Sequence, residues 1–237
     1  MIGLGTLINI GAILLGGLLG IVCGKAMNSS LQDSLMKATG LCVMFIGIGG
    51  SMEKMLTISG GSLTSSGAMM IVGSFAAGTL LGEALRIEYR IEQFGEWLKI
   101  KSGSSGEHTF VAGFVTASLT VCVGAMAIVG SIQDGIAGDY SVLMLKAVLD
   151  LLIIWVMTAS MGKGCIFAAI PVAVLQGSVT LLARALEPMV TDQALANIAL
   201  AGSMLIFCVG VNLIWERTLK VANMLPALVI AALWSFF

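Results

Sequence analysis

Charge is scarce in this chain. Asp, Glu, Lys and Arg supply 11% of its 237 residues, less than half of what a soluble domain uses to cover its surface. Water is therefore excluded as the solvent for most of that surface. Histidine occurs once, as His108, which leaves no histidine metal site or catalytic dyad. No GxxxxGK[ST] motif is present, so ATP hydrolysis on a phosphate loop is not expected. No basic patch with interleaved aromatics points to nucleic acid. The five cysteines, Cys23, Cys42, Cys122, Cys165 and Cys208, lie in or at the ends of apolar runs without a CxxC pair. They read as small packing residues, not as a disulfide or metal framework. No nucleophile and base pair is recognisable, and the reading is of no enzyme and no cofactor. The first apolar stretch lacks a preceding basic region and reads as a first helix, not a cleaved signal.

What is abundant is apolar surface: 58% of residues are hydrophobic and the mean hydropathy is +1.03. Crossing about 30 Å of hydrocarbon takes roughly 20 mainly apolar residues. Runs of that kind fall at 2–24, 31–50, 67–85, 109–132, 141–161, 164–183, 195–214 and 220–237. The expected fold is an all-α membrane protein, a bundle of about eight transmembrane helices in a single polytopic domain. The one long polar segment, 86–108, places Ile87, Ile91, Phe94 and Leu98 at helical spacing with charges on the other faces. It predicts an amphipathic helix lying in the membrane interface, followed by a flexible Ser/Gly link.

With eight spans, one side collects Lys25, Arg86, Arg90, Lys99, Lys101, Lys163, Arg217 and Lys220, and the other only Lys54 and Arg184. The positive-inside rule puts the first set in the cytoplasm of a bacterial inner membrane and both termini in the periplasm. Lys37 and Lys146 fall within spans. Seven spans would scramble this segregation.

Internal similarity suggests inverted three-helix repeats over 1–85 and 162–237, separated by the interfacial segment 86–108 and central helices 109–161. Gly3 and Gly5 align with Gly162 and Gly164, Gly40 with Gly202, and Phe45 with Phe207. The third members of the repeat match poorly.

Four features bear on chemistry. Gly16, Gly20 and Gly24 sit four apart, clearing one face of the first span for a neighbour. In CVGAMAIVGSIQDGIAGDYS, residues 122–141, an apolar stretch ends in Gly130 and Ser131, followed by Gln133, Asp134 and Asp139 without a nearby Lys or Arg. That segment reads either as a cation-attracting outer entrance, partly re-entrant, or as an ordinary turn with helix-capping aspartates. In LMLKAVLDLLIIW, Lys146 and Asp150 are four apart on one helical face, with Asp150 near mid-membrane, where an unpaired charge costs at least a few kcal/mol. Asp150 reads as a proton or cation carrier with Lys146 its counter-charge, or as one half of a structural ion pair. Asn9 and Gln176 are nearly matched in the repeat. They suit a central site, or simple hydrogen bonds between helices.

The segments CVGAMAIVGSIQDGIAGDYS, LMLKAVLD, GKGCIFAAIPVAVLQGSVTLLA and NMLPAL together resemble the YqgA/YdfK-like family of bacterial inner-membrane proteins, a domain of unknown function. The resemblance covers essentially the whole chain and implies a polytopic membrane protein, sometimes described as a possible transporter. Its recurring positions correspond to Gly124, Ser131, Asp134, Gly138, Asp139, Lys146, Asp150, Gln176 and Gly177. Relatives often have small or polar residues after the aspartate, where this chain has Leu151 and Leu152.

The leading expectation is a secondary transporter or ion-coupled permease for a small solute. Asp150 would carry the coupling cation, Gln133, Asp134 and Asp139 would form the outer entrance, and Asn9 with Gln176 would orient solute. The alternative is a non-transporting scaffold or regulatory subunit docking a partner through 86–101. The expected partners are the lipid bilayer, a small solute and a coupling cation, without nucleic acid; a homo-oligomer is compatible with the sequence.

Overall fold

The computed structural model describes residues 2–59, 62–186, 191–215 and 218–236. Arg217, counted above among the cytoplasmic charges, lies outside them. The elements are α1 (Leu4–Lys25), α2 (Ser29–Met55), a hairpin of β1 (Leu56–Ser59) and β2 (Ser62–Ser65), α3 (Ala68–Leu85), α4 (Ile87–Lys101), α5 (Phe110–Cys122), α6 (Ala125–Ala137) and α7 (Ser141–Met161). They continue as α8 (Ala169–Leu181), α9 (Ala183–Leu186), α10 (Asp192–Ile214) and α11 (Pro226–Leu233). Short 3-10 turns occupy Lys163–Ala168 before α8, and Val221–Met224 and Trp234–Phe236 around α11. The chain forms two compact units. One comprises Met1–Thr39, Tyr89–Cys122 and Met126–Pro188, the other Gly40–Glu88, Val123–Ala125 and Met189–Phe237.

The first unit is organised on the pairing of α1 with α7. A Cβ placed on Gly16 would collide with the Leu151 carbonyl oxygen, one on Gly20 would stand 2.6 Å from that of Trp155, and one on Gly24 3.0 Å from that of Ala159. The glycine stripe thus lets two backbones touch, and the matched advance of both numbers shows that the helices run the same way. On the opposite side of α1, Leu7, Leu18 and Val22 are 59–70% exposed. A helix apolar on every face with such leucines uncovered belongs in lipid.

Helix α4 is anchored to the same unit through Leu98, which packs on Phe110, Val111 and Phe114. Gly95 allows the Phe114 ring close to the α4 backbone, and Phe94 stacks on Trp97 with ring centroids 5.7 Å apart. Tyr89, Trp97 and Ile100 remain exposed. This is the amphipathic helix expected from the sequence, beginning one residue later than the polar segment. Its mooring on α5 was not foreseen.

In the second unit, glycine again sets the packing. Gly40 of α2 lies against Gly210 of α10, each meeting the other's neighbourhood reciprocally, and Gly47 lies against Phe207. Gly78 and Gly82 of α3 admit Ala227 and the Asn223 carbonyl. The apolar centre is Met70, Ile71, Leu200, Ala201 and Ala231. Asn197 donates to the Ala231 carbonyl at 3.0 Å. Asn212 holds the turn after α10 by donating to the Leu219 carbonyl and accepting from its amide.

Six helices among the described residues are long and apolar enough to cross a bilayer: α1, α2, α3, α7, the run Lys163–Leu181, and α10. The fold is an all-α membrane bundle, decorated by one exposed hairpin that the sequence reading missed. Two of the eight apolar runs differ from simple spans. The fourth, read as continuous over 109–132, is broken: α5 and α6 meet at a bend of 61°. Gly124 between them has φ 144°, a conformation open to glycine and strained for other residues. The last run, 220–237, contains only a short apolar helix over Val221–Phe236, because Pro226 starts α11 afresh after a 3-10 turn. The segment 130–140, read as partly re-entrant, is helical as far as Ala137, and the bent α5–α6 pair has the form of either a broken span or a re-entrant loop. Lys37 lies within α2, one of the helices long and apolar enough to span. Its side chain is 55% exposed and pairs with Asp33 at 2.7 Å on the first turns of α2.

Candidate functional site

Asp150 lies on α7 about 14 Å from the start of the helix and is only 3% exposed. Its Oδ2 accepts from the Lys146 ammonium at 2.6 Å and from the Asn9 side-chain amide at 3.0 Å. The i, i+4 spacing on α7 brings the charges to one face, and the α1 pairing brings Asn9 across to them. Lys146, 7% exposed, also donates to the Val121 carbonyl at 2.7 Å. Val121 is in the last turn of α5, where a helix leaves its final carbonyls without partners. A broken helix therefore presents an orphan carbonyl to an intramembrane cation, and here the cation is a lysine. The arrangement satisfies both charges at once, which a buried ion pair needs if it is to be tolerated.

Asp134 is fully buried. Its two oxygens accept from the Gly3 amide at 3.2 Å and the Gly5 amide at 3.0 Å. It thus binds the first free N–H groups of α1, at the end where the helix dipole favours negative charge. This corrects the outer-entrance role, because a carboxylate committed to a helix terminus and shut off from solvent does not line an open mouth. Gln133 and Asp139 are exposed at the same end of the unit. Asp139 accepts from the Ser141 amide at 3.0 Å and from its hydroxyl, bonds that hold its carboxyl below the ordinary range. Capping thus describes Asp134, whereas Asp139 joins its bonds to Ser141 with exposure to the surroundings.

Ser131 and Gln176, like Asn9, are completely buried. Among the described residues, the Ser131 hydroxyl, both polar atoms of the Gln176 amide and the Asn9 Oδ1 have no hydrogen-bond partner. In hydrocarbon each such group costs several kcal/mol. Thr6 and Thr180, which the sequence reading passed over, carry further unpartnered buried hydroxyls. Their spacing was the available signal: Thr6 is three residues before Asn9, and Thr180 four after Gln176, on the same helical faces.

A cavity of about 310 Å³ opens at the far end of the α1–α7 seam. Gly20, Gly24, Lys25, Glu107, Thr158 and Lys163 are among the residues that line it. Glu107 pairs there with Lys163 at 2.8 Å. Among the described residues, no group of three or more His, Cys, Asp or Glu side chains is arranged to hold a metal ion.

Residues 4–236 match the family described as "Protein of unknown function (DUF554)". The chain belongs to this DUF554 family. Relatives include "Uncharacterized membrane protein YdfK" of Bacillus subtilis (strain 168), 27% identical over 226 residues, covering 95% of this chain and 93% of that one. Another is "Uncharacterized protein YqgA" of Escherichia coli (strain K12), 25% identical over 232 residues, with 96% and 94% covered. No solved structure matches significantly. For this DUF554 chain, the long apolar helices support a membrane location, and the site's chemistry rests on its own geometry.

Proposed function

We infer that the protein is a secondary transporter or ion-coupled permease for a small solute, resident in a bacterial inner membrane with both termini periplasmic. The observation that carries this is the Lys146–Asp150–Asn9 cluster, closed off at mid-depth and fastened to the end of a broken helix. Discontinuous helices with exposed carbonyls are a recurrent way of building ion and substrate sites in transporters. Asp150 carries the coupling cation, with Lys146 as the resident counter-charge that exchanges with it. The cavity beside Lys25 and Lys163 lies on the side where basic residues gather, and serves as the cytoplasmic vestibule.

The inverted-repeat reading rests on the sequence similarity that matches Gly40 to Gly202 and Phe45 to Phe207; in the second unit Gly40 packs on Gly210, while Gly202 faces Gly124 and Val123.

The test is purified protein in proteoliposomes enclosing a pH-sensitive dye, challenged in turn with sugars, polyols, amino acids and amides. Wild type should change the internal pH with at least one class, and Asp150→Asn should not. Coupled uptake that survives in Asp150→Asn excludes the carrier role.

The scaffold reading draws on the exposed Tyr89, Trp97 and Ile100 of α4. It is tested by capture of one stoichiometric partner that is lost on charge reversal at Arg86 and Arg90.

A further inference from the structure

Three of the side chains of the first unit that carry unpartnered polar atoms, Asn9, Ser131 and Gln176, share a level, whereas Glu107, Ser118 and Thr158 lie on other parts of it. Gly135 of α6 lies against α8, where an added Cβ would stand 2.5 Å from the Thr180 carbonyl oxygen. The adjacent Asp134 is bonded to Gly5 of α1. Gly5, Gly135 and Thr180 therefore mark one layer at the outer end of the unit. Helix α1 starts at this end, whereas α6 and α8 finish at it. One turn inward on the same helical faces leads from Gly5 to Asn9, from Gly135 to Ser131, and from Thr180 to Gln176. Among the described residues, those are the three side chains at 0% exposure that hold unpartnered atoms, and Asn9 ties their layer to Asp150.

The hydrogen-bonding capacity left over is mixed. Gln176 offers two N–H donors and an acceptor, Ser131 one donor and an acceptor, and Asn9 an acceptor. The charges nearby are already matched. Lys146 and Asp150 neutralise each other, and Asp134 answers the positive end of α1. A layer with spare donors and spare acceptors, but no spare charge, complements a molecule that is itself uncharged and both gives and accepts hydrogen bonds.

We propose that Asn9, Ser131 and Gln176 form a binding layer for a small uncharged solute carrying hydroxyl or amide groups. This rests on the transporter reading for its setting and adds to it the chemical class of the solute. An ionic solute would leave a net charge in the layer, at the cost such charges carry in hydrocarbon.

The test is thiol labelling of Ser131→Cys in folded protein, followed by peptide mass spectrometry with the native cysteines as internal references. Three methanethiosulfonates of comparable size are used, neutral methyl, cationic aminoethyl and anionic sulfonatoethyl, each normalised to its rate with a free thiol. The neutral reagent should react at least about tenfold faster than either ion. Glycerol and acetamide should slow it, while acetate and methylammonium should not. No labelling by any reagent overturns the proposal, as does an ion reacting as fast as the neutral reagent, or protection by ions alone. If Ser131→Cys does not fold, Gln176→Cys reports on the same layer with the same expectations. All labelling is done with the Lys146–Asp150 pair intact, so that the layer keeps its neutral surroundings. Coupling and solute class therefore fail separately: retained coupled uptake sinks the carrier role, and only the labelling result sinks the layer.

Discussion

Asp134 secures the beginning of α1 from 129 residues further along the chain, its Oδ2 accepting the Gly5 amide at 3.0 Å. The contact closes the first unit by joining its first helix to the last turns of α6. Replacing Asp134 with Ala should lower stability by about 1–2 kcal/mol, the range for a lost helix cap, measured by thermal unfolding in detergent. Asp134→Asn keeps the shape and an acceptor oxygen, and should fall between. A loss confined to transport, with unfolding unchanged, would contradict the capping assignment.

The Lys146–Asp150 pair makes a contrasting prediction. Lys146→Met strands a carboxylate at mid-depth and should destabilise by about 3–5 kcal/mol, as removal of one partner of a buried pair does. Lys146→Met combined with Asp150→Leu should recover most of that loss while remaining inactive. Equal destabilisation of the single and double variants would mean that the pair does not act as a unit.

Gln176→Leu should move stability in the opposite direction. The amide has no partner among the described residues, so an apolar side chain of similar size removes an unmet desolvation cost of about 1–3 kcal/mol. The expected pairing of results is a higher melting temperature and, in the Ser131→Cys background, loss of protection of the introduced thiol by solute. A lower melting temperature would indicate that the amide is satisfied in the folded protein.

Glycine positions separate cleanly into two groups. Gly16→Ala presses a methyl on the Leu151 carbonyl, and Gly20→Ala does the same at Trp155, so each should cost about 1–3 kcal/mol through overpacking. Gly11 has nothing within 4 Å of an added Cβ, and Gly11→Ala should be neutral or slightly stabilising. Guanidinium titration of the three variants in one detergent makes the comparison.

Asp139 supplies a pH dependence. Its carboxyl is held below the ordinary range by Ser141, so its contribution is present above the unfolded-state pKa and is lost as pH falls through the folded one. Asp139→Ala should therefore lower the melting temperature at neutral pH, with the difference from wild type shrinking as the solution is acidified past the carboxylate range. A gap that stays constant with pH would rule out the Ser141 bonds as its source.

Much of the fold was readable because the apolar runs are long and the polar segment is concentrated at 86–108. The pairing of Lys146 with Asp150 followed from their spacing alone. What the sequence concealed were long-range relationships. Nothing local to Asp134 announces Gly3 and Gly5, and the aspartate could as well have faced solvent. The break at Gly124 was hidden by apolar residues on both sides, which sustain a hydropathy window whether the helix is straight or bent. The hairpin over 56–65 escaped notice since only the Gly60-Gly61 pair in its sequence hints at a turn. The i, i+4 pairing of Lys37 with Asp33 was open to view in their spacing but went unremarked.

At the end of α5, the Val121 carbonyl is held by an ammonium group fastened to the protein's own α7. A free sodium or potassium ion at such a carbonyl would come and go with its concentration in the medium. A tethered cation makes the bent helix indifferent to bathing salt. Shortening Lys146 to alanine would pass that position to the surrounding electrolyte, and the variant's folding should then acquire a dependence on alkali-metal concentration that wild type lacks.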